Sequence, residues 1–119
     1  MAWHFTSDRP VYIQIAERIE RSVLCGAYTV GEQLPPVRQL ATEIAVNPNT
    51  VQHAYAELER NGIVVPNGTL GRFVTDDPAV IEACRTRIAT QLIHRFTGDI
   101  RQLSIPVDQA IAMIKEVSA

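Results

Sequence analysis

The sequence lacks the feature that most often marks a nucleic-acid binder, a basic surplus. Its 119 residues carry 11 Lys and Arg against 13 Asp and Glu, a formal net charge of -2. The first 75 residues hold six arginines and no lysine against seven acids. No bulk electrostatic signal for nucleic acid exists, so any such contact rests on the placement of a few charges. Also absent is an apolar run near the ~18 to 20 residues that span a bilayer. The opening "MAWHFTSDRP" has neither the basic region nor the apolar core of a signal peptide. A cytoplasmic location with no membrane partner is expected. Cysteine is scarce: Cys25 and Cys84 lie far apart and match no metal spacing. Their apolar neighbours predict reduced, packed thiols. His4 and His94 have no partner at metal spacing, so no metal site is expected. No nucleophile–base arrangement and no Gly-rich phosphate loop ahead of a helix occur, so neither an enzyme nor a cofactor is predicted.

What is present describes an ordinary globular chain, with 46% hydrophobic and 20% charged residues and no internal repeat. The length suits one domain with a real core and a small appendage. In "RPVYIQIAERIERSVLCGAY", Pro10 suits a first helical position and Tyr12, Ile15, Ala16, Ile19 and Val23 keep helical spacing up to the stop at Gly26. Gly31 and Pro35-Pro36 mark a turn, after which Val37, Leu40, Ala41 and Ile44 make a short second helix. Pro48 disfavours helical geometry at Asn47, so that helix ends by residue 46. A third helix starts there, with Asn47 as cap, Pro48 in the first position and Val51, Ala54, Tyr55 and Leu58 as its buried stripe. Asn61-Gly62 ends it.

Two short β-type runs, Ile63 to Val65 and Arg72 to Thr75, flank a loop with Asn67-Gly68 and Gly71 and predict a hairpin. Asp76 or Asp77 then caps a long helix opened by Pro78, and Pro106 opens a last one. Ile81, Cys84, Ile88, Leu92 and Phe96 line one face of the long helix, widened by Ala89, Ile93 and Ile100. Val107, Ala110, Ile111, Ile114 and Val117 mark the last. The expected fold is mostly α with a small β-hairpin: a winged helix-turn-helix over residues 1–75 and a two-helix tail over 76–119.

The segments "PVYIQI", "GEQLPPVRQLA", "VNPNTVQHAYAELE" and "GRFV", in this order over about residues 10 to 75, resemble the GntR family of bacterial transcription regulators. The short tail resembles that of its YtrA-like subfamily. This resemblance implies a DNA-binding regulator, expected to be a repressor, whose tail makes a homodimer. It also places Arg38 on DNA. The sequence departs from the family's pattern in three places. Ala45 stands in the turn where Gly is common, at a cost of about 1 kcal/mol if a left-handed conformation is required. Thr69-Leu70 separates Gly68 from Gly71 in the wing. Asn, Thr and Gln open the third helix where many members have arginine.

A helix N-terminus offers free backbone N–H groups and a positive dipole end, which favour phosphate. Asn49 and Thr50 fall in that first turn, and Asn49, Gln52 and His53 form the helix's outer face. Asn and Gln can pair with adenine in the major groove, and a Thr methyl can touch thymine. Asn47 is a cap first, and Tyr55 is expected in the core rather than on DNA. His53 is read equally well as a contact or as a plain surface residue. Arg38 is assigned to DNA, with an ion pair to Glu43 or Glu57 as the alternative. Arg72 and Gly71 are assigned to the wing contact. The expected partner is a double-stranded operator with two half-sites, and no convincing effector pocket is visible. For the tail, Ile81, Cys84, Ile88, Leu92, Phe96, Ile111 and Ile114 are the expected dimer contacts, the alternative being a tail folded back on its own winged domain. The competing function is a winged-helix protein–protein module, which the weak basic charge favours and the hydrogen-bonding helix face opposes.

Overall fold

The computed structural model describes residues 3–119; Met1 and Ala2 lie outside the described residues. Five α-helices and one two-stranded hairpin follow one another as α1 (Val11–Leu24), α2 (Val37–Ile44), α3 (Pro48–Arg60), β1 (Val64–Asn67), β2 (Gly71–Val74), α4 (Pro78–Gln102) and α5 (Val107–Ser118). The chain divides into two compact units, one ending at Cys84 and the other covering Arg85–Ala119. The first unit thus keeps the opening turns of α4, past the 75/76 boundary read from the sequence. Cys84 shows why. Its thiol is buried and donates to Glu20 Oε2 of α1 at 3.2 Å.

Prolines set most of the helix starts, in two ways. Pro48 occupies the first helical position of α3 behind the cap Asn47, and Pro78 does the same for α4. The Asp77 carboxylate caps α4 by accepting from Ala79 N at 2.9 Å. Pro10, Pro36 and Pro106 instead sit one place earlier, at the cap itself, in extended geometry near φ -56 to -67. The sequence had placed Pro10 inside the helix. An extended proline at the cap still frees no N–H, so the same residue type serves both positions.

Between α2 and α3 the chain turns at Ala45, which adopts φ 58 and ψ 51. The left-handed geometry costs a residue with a Cβ about 1 kcal/mol or more. The Val46 N–H donation to Ala41 O at 3.0 Å, which closes the end of α2, works against that cost. The turn makes α3 cross α2 within three residues, the geometry of a helix-turn-helix.

Apolar faces of α1, α2 and α3 close on a single core. Ile15, Val51, Leu58 and Ile63 are fully inaccessible, and Ile19, Tyr55 and Val64 are nearly so. Each such side chain contributes roughly 1.5–3 kcal/mol by leaving water. Strands β1 and β2 pair antiparallel, with Val64 opposite Val74 and Asn67 opposite Gly71. The strands are shifted from their predicted ranges, because β1 extends through Pro66 and Asn67. Proline is tolerated there because β1 is an edge. The far side of β2 is taken by residues 31–34: Leu34 N donates to Arg72 O, and Val74 N donates to Glu32 O, each at 2.8 Å. A short 3-10 turn, Gly68–Leu70, joins the strands.

The Arg85–Ala119 unit is built differently. It contains the rest of α4, a turn through Ser104 at φ 58, and α5. Within it Ala110 is buried, while Leu92, Phe96, Ile111 and Ile114 remain exposed. Phe96, Ile100, Met113 and Ile114 help line an apolar groove of about 330 Å³. Cys25 corrects another expectation: it is exposed at the end of α1, not packed. Among the described residues no helix is long and apolar enough to cross a membrane.

Candidate nucleic-acid interface

The start of α3 is built by Asn47. Its side-chain oxygen accepts from Asn49 N at 2.8 Å, and its carbonyl accepts from Thr50 N at 2.9 Å. The cap therefore occupies the Asn47 side chain, as the sequence indicated. Beyond it, Asn49, Gln52 and His53 are exposed and Thr50 is half-buried. The amides of Asn49 and Gln52 have no side-chain partner among the described residues, so their donors and acceptors are open to a ligand. Tyr55 points the other way. It is 1% exposed, and its hydroxyl donates to Pro35 O at 2.7 Å. Burial pushes the Tyr55 hydroxyl well above its usual range, with Tyr28 adding to the shift and Arg72 opposing it. Tyr55 is therefore core, as expected.

His53 is exposed but not loose. Its ring lies flat on Tyr12 of α1, with centroids 3.6 Å apart and planes 5° from parallel. The stack fixes the ring plane and leaves the edge, where both nitrogens sit, available. Helical spacing on α3 alone gave no sign of this, because the partner comes from another helix.

Four of the arginines in residues 1–75 separate into two groups. Arg9 pairs with Glu17, Arg60 with Glu57, and Arg72 Nε with Glu59 Oε1 at 2.7 Å. Arg38, exposed at the start of α2, has no ion pair among the described residues. Glu43 is hydrogen-bonded instead by Gln39 at 3.1 Å, and Glu57 is taken by Arg60. Neither acid considered for Arg38 holds it.

Arg72 is placed otherwise than a free wing cation. Its guanidinium lies 5.3 Å from the Tyr55 ring centre, and its side chain is only 25% exposed. It ties the hairpin to α3. Gly71 likewise has a packing reason. At φ 121, a Cβ there would lie 2.8 Å from Gln33 Nε2. That same Gln33 nitrogen donates to Leu70 O at 2.7 Å, fixing the hairpin tip. Gln33 was legible only as part of "GEQLPP", with no role attached.

Of the expected dimer contacts, Leu92, Phe96, Ile111 and Ile114 are exposed, and Ile81 and Ile88 are half-buried. Cys84 departs from that set, since its side chain is used within its own chain against Glu20. Met113, 43% exposed and on the apolar groove, was not singled out from the sequence.

Residues 11–74, from α1 through the hairpin, match the family of bacterial regulatory proteins described as the gntR family. The chain belongs to the GntR family. It is 36% identical over 115 residues to the HTH-type transcriptional repressor YtrA of Bacillus subtilis, covering 95% of this chain and 88% of that protein. It is 30% identical over 111 residues to the regulator YhcF of the same organism, covering 93% and 92%. Among solved structures, a GntR family transcriptional regulator from Listeria monocytogenes superposes with a TM-score of 0.87 at 38% identity, over 94% of this chain and 98% of that one. These GntR relatives are named as regulators and not as enzymes, and the coverage extends through the C-terminal helices. The YtrA-like assignment drawn from the short tail stands with them.

Proposed function

We propose that this GntR-family regulator is a homodimeric repressor that binds a two-half-site operator in a sequence-specific way. The observation that carries the reading is the pairing of two open groups at one helix-turn-helix. The first turns of α3 expose the free amides of Asn49 and Gln52, and the second residue of α2 is the unpaired Arg38. Amides suit base edges, and an arginine at a helix start suits phosphate or guanine. Thr50 and the flat His53 edge complete the face. Arg72 and Gly71 support it indirectly, by holding the wing. The repressor name of the Bacillus subtilis relative and the exposed apolar face of the Arg85–Ala119 unit agree with this reading. A cytoplasmic location goes with it.

Gel-shift titration and footprinting on the promoter of the protein's own operon, at stated salt, test the proposal. A protected stretch with two related half-sites is expected. Its salt slope should be shallow, because few cations are free to neutralise phosphate. The Arg38→Ala, Asn49→Ala double variant should bind about a hundredfold more weakly while keeping its helical content. Equal binding by that variant would remove the assigned contacts. No shift on any DNA would favour a protein-binding winged helix, the reading that the paired arginines and the net charge of -2 support.

A further inference from the structure

We propose that Glu20 is the positioning residue that sets the half-site spacing of the operator, by latching the first turns of α4 to the C-terminal end of α3. The inference rests on the homodimeric, two-half-site reading above and names the element that measures the distance between the half-sites.

Three attachments meet where α4 begins. A single oxygen of Glu20 on α1, Oε2, accepts from the Cys84 thiol of α4 at 3.2 Å and from Asn61 Nδ2 at 3.0 Å. Asn61 ends α3, and its side-chain oxygen accepts from Ile63 N at 3.0 Å, so the same residue fixes the entry to the hairpin. Beside it, Gly62 at φ +86 brings the α3–β1 turn close to α4, since a Cβ there would lie 3.4 Å from Val80 Cγ1. Lastly, the buried Thr75 ties the end of the hairpin to the helix start. Its N–H donates to Ile63 O at 2.9 Å, and its hydroxyl accepts from Asp77 N at 3.2 Å. All of these residues belong to the first unit.

The latch is polar where packing would serve. Glu20 is 5% exposed and Cys84 7%, in a core whose other members are almost all apolar. Hydrogen bonds have angular preferences that apolar packing lacks, so a buried network of them holds one geometry. Geometry matters at this point because α4 runs unbroken from Pro78 to Gln102, and the division between the units falls inside it, after Cys84. In a dimer joined through Arg85–Ala119, the distance between the two DNA faces depends on the direction in which each α4 leaves its winged unit. From Cys84 to Gln102 the helix rises about 27 Å, at about 1.5 Å per residue. A change of about 10° in its exit direction then displaces the far end by about 5 Å. One base pair of spacing is about 3.4 Å, so a small loosening of the latch exceeds one step of the duplex.

The test uses the full chain and the two half-sites defined by the footprint. Their spacer is lengthened or shortened one base pair at a time, alongside a duplex that carries one half-site. The unmodified protein should lose about tenfold in affinity for a change of one base pair. Glu20→Ala and Cys84→Ala should bind spacers one base pair off within about threefold of the best one. Their affinity for the single half-site and their sedimentation as dimers should stay unchanged. Cys84→Ser restores a donor and should restore the narrow spacing profile. A role in folding alone would instead lower the urea midpoint and leave the profile narrow. Where Glu20→Ala does not fold, the Cys84→Ala and Cys84→Ser pair carries the test. The proposal is overturned if a folded, dimeric Glu20→Ala or Cys84→Ala keeps the tenfold penalty, or if Cys84→Ser broadens the profile as alanine does. It is also overturned if Cys84→Ala dissociates the dimer, or if the unmodified protein tolerates the altered spacers. In those cases the DNA-binding reading survives. Binding of the single half-site as tightly as the pair would overturn the two-half-site reading, and this proposal with it.

Discussion

The winged unit and the Arg85–Ala119 unit use apolar residues in opposite ways. In the first, Ile15, Val51, Leu58 and Ile63 are 0% exposed, and helices, hairpin and the 31–34 segment enclose one another. In the second, Leu92 is 47% exposed, Phe96 41% and Ile114 46%, although the residues keep the same helical periodicity. Periodicity thus reports which face of a helix is apolar, not what covers it. Where three helices meet, the face closes within the chain. Where two do, it stays open, and a second copy is the occupant we propose.

The largest expected effect follows from that contrast. Leu58→Ala should destabilise the winged unit by about 2–5 kcal/mol, read as a fall in the urea midpoint. Phe96→Ala should leave that midpoint in place, because the substitution falls in the other unit. Its counterpart Phe96→Asp should convert a dimer to a monomer in sedimentation at micromolar concentration. A shared loss of the winged transition in Leu58→Ala and Phe96→Ala would break the comparison and make the two units one cooperative body.

The same contrast explains what the sequence made legible. Helix identity, the α2–α3 turn, the Asn47 cap and the inward Tyr55 came from spacing and capping, which are local signals. The outward placement of Asn49 and Gln52 followed from them. What escaped involves partners distant in the chain. Arg72 finds Glu59 across 13 positions, Gln33 finds Leu70 across 37, and Cys84 finds Glu20 across 64. No periodicity encodes such pairs, so Arg72 read as a free wing cation and Cys84 as a dimer contact. The strand limits shifted for a related reason, since an edge position that admits Pro66 depends on which segment flanks β2.

A smaller effect sharpens the comparison at the helix starts. In α3 the Asn47 side chain accepts from Asn49 N, whereas α5 starts at Pro106 with no side-chain cap. Asn47→Ala should therefore cost the winged unit about 1 kcal/mol in urea denaturation. It should also weaken operator binding, because the first turn of α3 frays. Asn47→Asp retains an acceptor and should keep the stability. If it lost stability like Ala, the hydrogen bond would not be what starts α3.

A comparably small effect at neutral pH becomes the most selective at high pH. Tyr55→Phe removes the hydroxyl donation to Pro35 O, worth about 1 kcal/mol. The folded state holds the Tyr55 proton more tightly than the unfolded chain, where tyrosine loses it near pH 10. A raised folded value means that the stabilisation is complete below about pH 10 and declines as pH rises toward the folded value. Tyr28 is shifted the same way, by burial first and then by Glu32 and Glu43. All three tyrosines precede residue 85, so alkaline loss should strike the winged unit and leave the helices of Arg85–Ala119 to other groups. Tyr55→Phe should flatten the fall in urea midpoint between pH 9.5 and 11, estimated at about half the unmodified slope with Tyr28 still titrating. An unchanged slope would mean that the buried hydroxyl does not govern the alkaline limit of the winged core.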